Sequence, residues 1–109
     1  MAYDEELADR VLTALAGREG ITERKMFGGF GFMLNGNMCC GIHGAELIVR
    51  LGPEEGDRAL DEPHTRPFDL TGRPMSGWVF VGGEATRADE GLEAWVDRAV
   101  GYVSALPPK

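Results

Sequence analysis

Two hydrophobic periods alternate along this chain, and the change from one to the other marks its elements. Leu7, Val11, Leu12 and Leu15 recur at helical spacing, which predicts an amphipathic helix from Asp4 to about Ala16. Asp4 is placed to cap it, Glu5 and Glu6 stand where the helix dipole favours anions, and Gly17 supplies a stop. From Arg24 to Leu51 the pattern changes to short apolar runs broken by Gly-Gly, Asn-Gly and Gly-Ala, which reads as a β-meander. Its expected strands are Ile21–Phe27, Phe30–Leu34 and two more on either side of a tight turn at Gly44-Ala45. Asn35-Gly36 is the strongest hairpin signal in the chain.

A two-residue turn at Asn35-Gly36 sets Met33 opposite Met38 and Phe32 opposite Cys39. The turn at Gly44-Ala45 sets Ile42 opposite Leu47 and Cys40 opposite Val49. One face then collects Met33, Met38, Cys40, Ile42, Leu47, Val49 and Leu51, and the other Phe30, Phe32, Cys39 and Ile48. Both faces are apolar near the centre, which predicts cover on both sides. Past the meander, Pro53 to Leu60 reads as a short helix with proline in its first turn. Asp61 to Gly77 reads as loop, from which Phe68 and Leu70 reach the core, and Trp78 to Val81 as a strand. A last helix starts at Thr86 or Asp89, with Leu92, Val96, Ala99, Val103 and Leu106 on one stripe and Trp95 and Val100 beside it. Gly91 and Gly101 within it each cost about 1 kcal/mol relative to alanine, so tertiary packing must hold this helix. The expectation is one α+β domain over residues 1–109: an antiparallel meander sheet flanked by N-terminal and C-terminal helices.

Composition narrows the function classes. An apolar fraction of 43% over 109 residues suits one soluble core, and no run approaches the roughly 20 apolar residues of a membrane helix. The acidic start MAYDEELADR lacks the basic and apolar regions of a secretory signal, so a cytoplasmic protein with no membrane partner is expected. The net charge of −7 opposes direct nucleic-acid binding. Arg18, Arg24, Lys25 and Arg50 do stand among only Glu19, Glu23 and Glu46, but a mixed-charge solvated surface accounts for them without a positive patch.

Candidate chemistry is sparse. Gly28-Gly29-Phe30-Gly31 invites a phosphate-loop reading, yet Leu34 stands where the fingerprint needs glycine and a hairpin follows instead of a helix. His43 and His64 are the only histidines and lie at no metal-ligand spacing. Cys39 and Cys40, as strand neighbours, are expected on opposite faces, unable to share a metal and fitted to packing. Ser76 and Ser104 lack a nucleophile-elbow context. No catalytic, cofactor or metal residues are therefore assigned. Arg66 and Arg73, in a long loop, could frame an anion site with Lys25, although two exposed arginines in a polar loop is the plainer reading.

The run Lys25-Met26-Phe27-Gly28-Gly29-Phe30-Gly31, followed by an apolar strand, Asn-Gly, and Glu46-Leu47-Ile48-Val49-Arg50, resembles the N-terminal domain of the TfoX/Sxy family. Arg73-Pro74-Met75 before the Trp78–Val81 strand extends the resemblance, which covers about Asp4 to Leu106. It implies an α+β domain with an antiparallel sheet and a link to regulators of natural competence, which work with the cyclic-AMP receptor protein at certain promoters. Full-length regulators carry a second, C-terminal domain, so with Lys109 as the last residue a stand-alone copy is expected, one that need not share their role. The family supplies no catalytic residues to carry over. The expected function is a non-enzymatic regulatory or protein-binding module, with a protein partner of transcriptional character and a weak homodimer as the second form of association. Its candidate surface comprises Lys25, Phe30, Phe32, Arg66 and Arg73. The alternative is a small-molecule or anion-binding protein, or an enzyme, using Lys25, His64, Arg66 and Arg73.

Overall fold

The computed structural model describes residues 3–26, 29–69, 72 and 75–108. Helix α1 (Glu5–Leu15) begins where the Asp4 carboxylate accepts from the Glu6 and Leu7 backbone N–H groups. Strands β1 (Ile21–Met26), β2 (Gly29–Leu34), β3 (Asn37–His43) and β4 (Glu46–Arg50) follow as a meander. Asn35 and Gly36 both take positive φ, 53° and 86°, the geometry whose twist matches a two-residue hairpin. After α2 (Pro53–Ala59) come a three-residue strand β5 (Thr65–Pro67), β6 (Trp78–Val81), a short α3 (Gly83–Thr86) and α4 (Asp89–Val103). The six strands are ordered β1-β2-β3-β4-β6-β5, each neighbouring pair antiparallel.

The predicted register holds from β3 onward and fails on β2. Met33 pairs with Met38 as expected, but Phe32 pairs with Cys40, and the register shifts between Phe32 and Met33. Cys39 is the extra residue, a bulge of one against two. Because directly opposite residues share a face, Phe30 and Phe32 join Ile42, Cys40, Leu47 and Val49 on the helix side, correcting their assignment to the opposite face. Met33 and Met38 pass to the other face. The bulge also turns Cys39 inward, so both cysteines belong to the core cluster.

That cluster is the main core. Leu7, Val11 and Leu15 of α1 and Leu92, Trp95, Val96, Ala99 and Val103 of α4 meet the sheet over β3, β4 and β6. Leu12 does not take part: it is 40% exposed, because the buried stripe of α1 runs through residues 7, 11 and 15. On the opposite face Ile48, Phe80 and Phe68 form a second cluster with Trp78 against it. The Phe68 ring lies 5.1 Å from that of Phe80. The segment after β5 thus covers this face as anticipated for Phe68; Leu70 lies outside the described residues. Asn37, buried in the hairpin, donates its side-chain amide to the Pro107 carbonyl at 2.9 Å and ties the end of the chain to the sheet.

Candidate functional site

The sheet order decides which candidate residues can meet. Lys25 is on β1 and Arg66 on β5, the two edges of the sheet. Five strand spacings separate them, about 24 Å. A joint anion site framed by Lys25 and Arg66 is excluded, and two separate regions must be considered. Arg73 lies outside the described residues.

At the β5 edge, Arg66 is already neutralised. Its Nε donates to Glu46 Oε2 at 3.1 Å and its Nη2 to Glu46 Oε1, completing a bidentate pair. Asp69 approaches to 3.6 Å, and the guanidinium lies over the Phe80 ring at 4.1 Å. The hydrogen bond to Glu46 raises the Arg66 pKa further above its ordinary value. The group is a clamp between β5, β4 and the aromatic face of β6. His43, half-buried beside it, has its ring 6.2 Å from that of Phe80.

His64, at the start of β5, has φ +66°, a strained conformation for a residue with a side chain. Its carbonyl accepts from Gly82 N at 2.7 Å and its Nδ1 lies 3.5 Å from Glu84 Oε2. Both side chains are largely solvent-exposed. The pairing of His64 with a carboxylate is the arrangement an enzyme reading would require, but its partner Glu84 sits on the open surface.

At the β1 edge the geometry is different. The second stripe of α1, Glu5, Ala8, Asp9 and Leu12, overhangs the end of the sheet and leaves a cleft of about 210 Å³. Phe30 and Phe32 form its floor, with ring centroids 5.2 Å apart. Tyr3 closes one end, 5.5 Å from the Phe30 ring, held there by a parallel bridge to Gly44. Glu23 of β1 forms the wall opposite the helix. Phe32 is only 1% exposed, so it is a sealed floor, not a projecting contact. Lys25 pairs across the ladder with Phe30 and is exposed at the strand edge. Sequence reasoning singled out Phe30, Phe32 and Lys25 but missed Leu12, Asp9 and Glu23. The only available signal was the i, i+3, i+4, i+7 spacing of residues 5, 8, 9 and 12, masked by the stronger stripe beside it.

Elsewhere, Leu51, Pro53 and Tyr102 line an open apolar recess of about 340 Å³ at the start of α2. Among the described residues no group of three or more His, Cys, Asp or Glu is arranged to hold a metal ion. Among the described residues, no helix is long and apolar enough to cross a membrane.

These features define an α+β domain: an antiparallel sheet with its main helices on one face, and a partly open cleft at one edge. Comparison with known families matches the TfoX N-terminal domain over residues 13–102, and the chain belongs to that family. No protein of curated function and no solved structure matches it.

Proposed function

We propose that the chain is a non-enzymatic, cytoplasmic regulatory module that acts by contact with a protein, in the manner of the competence regulators with which its family is shared. The family match over residues 13–102 is the observation that carries this reading. Support also comes from the β5 edge, where Glu46 and Asp69 already meet the charge of Arg66, which favours a structural role there over capture of a small anion. The test is transcript profiling of a strain lacking the gene, with and without the intact chain restored. A defined set of promoters should change and recover, those of the cyclic-AMP receptor protein first among them. Unchanged transcripts, together with substrate turnover by the pure protein that His64→Ala or Arg66→Ala abolishes, would replace this reading with the enzymatic one.

A further inference from the structure

We infer that the cleft between α1 and β1 is the docking groove for a basic amphipathic segment of a protein partner; this rests on the protein-binding reading above. Three features converge on it. The stripe along α1 that lines the cleft spans residues 5 to 12, about 10 Å of helix, which matches two turns of a partner segment laid alongside. The floor is aromatic, and Leu12, one of the few large apolar side chains left exposed among the described residues, stands at its rim. An apolar side chain on the partner would cover both. The charged residues that line the cleft are all acidic, Glu5 and Asp9 from the helix and Glu23 from the strand, with Lys25 outside the lining further along β1, and none of the three acids has an ion-pair partner among the described residues.

Charge selects the occupant. A second copy of this chain, at net −7, would bring acid to acid, and the β1 edge beside the cleft carries Glu23, Arg24 and Lys25 in succession, which discourages strand addition. A segment with lysine or arginine on one face and leucine or phenylalanine on the other meets the acidic rim and the aromatic floor together, the helix-in-groove mode of recognition.

The probe is a synthetic peptide of about 14 leucines and lysines at helical spacing, titrated into the intact, isotope-labelled chain. Its leucine–glutamate counterpart is the control. Saturable binding with Kd on the order of 10–100 μM at low salt is expected, with amide shifts concentrated at residues 5–12, 23 and 30–32. The Asp9→Lys/Glu23→Lys variant should weaken it at least about ten-fold and Leu12→Ala about three-fold. A Glu54→Lys/Glu90→Lys variant, with the same change in net charge, should stay within about two-fold of the original. All four acidic positions are exposed, so each variant should fold, which circular dichroism verifies. Equal losses in both double variants would mean attraction to net charge alone and would overturn the groove, as would shifts mapping elsewhere or an absence of binding. In cells, Asp9→Lys/Glu23→Lys should fail to restore the transcript changes. Full restoration by that variant would sink the groove while leaving the regulatory reading intact.

Discussion

At Cys39 and Cys40 one inserted residue decides the chemistry of two thiols. The bulge points both into the core. The hydrogen bond to Cys39, together with burial, raises the Cys40 pKa well above the ordinary thiol value, whereas the same bond lowers that of Cys39. As pH climbs well above the ordinary thiol value, 9.0, the unfolded chain loses both thiol protons while the folded chain still holds that of Cys40. The folded state then binds one proton more, so stability falls as pH rises, by about 1.4 kcal/mol per pH unit until Cys40 itself ionises. Denaturant titrations between about pH 9 and 10.5 should show this steeper decline in the native chain than in Cys40→Ala. Parallel slopes would mean that Cys40 ionises as freely folded as unfolded. The sequence could not have announced this pair. Period-two alternation assumes one residue per pleat, and nothing in Met38-Cys39-Cys40 marks the place where the count slips. The same slip explains why Phe30 and Phe32 were legible as important and yet assigned to the wrong face.

Among the elements, α4 was the best forecast. Its stripe of Leu92, Val96, Ala99 and Val103 is buried, with Trp95 and Val100 beside it, because long helical periodicity against a sheet leaves little freedom; Leu106, expected on the same stripe, lies past the helix end and is only partly buried. The elements that escaped prediction were the shortest, β5 and α3, at three and four residues. Three residues cannot display a period, and the proline in Thr65–Pro67 argues for loop. It is tolerated because β5 is an edge strand with one neighbour, β6. The two glycines of α4 have opposite explanations. A Cβ at Gly91 would collide with the Ala85 carbonyl, so the glycine lets α3 and α4 approach. At Gly101 nothing lies within 4 Å of the same atom, and the helical backbone there carries only the entropic cost. Gly101→Ala should therefore stabilise the protein by about 0.5–1 kcal/mol, while Gly91→Ala destabilises it by roughly 1–3 kcal/mol. Chemical denaturation reads both, and a gain at Gly91 would show that the α3–α4 contact yields without strain.

Charge is distributed over the whole molecule in a way that no single element reveals. The sequence displays the acidic excess but not which cations are already paired, since most ion pairs join residues far apart in the chain. Arg98 joins Glu62, stacks over Trp95 at 4.3 Å and ties α4 to the turn after α2. Arg10 reaches Asp89, and Arg18 reaches Asp97. Arg58 and Arg66 face Glu55 and Glu46, while Arg50 lies near the rings of Trp78 and Tyr102. Among the described residues this leaves Arg24, Lys25 and Arg87 without a carboxylate partner or an aromatic ring. Three phosphate contacts would give a salt slope of only about −3, where the six to ten contacts of firm duplex binding give roughly −5 to −9, and net −7 opposes even those three. A gel shift with duplex DNA at about 0.15 M salt should accordingly show no complex at protein concentrations up to about 10 μM. Retention at that concentration, falling steeply as salt rises, would require a cationic surface that these pairs do not leave free. Such a result would give the proposed regulatory module phosphate contacts of its own, in place of the protein partner proposed for the groove.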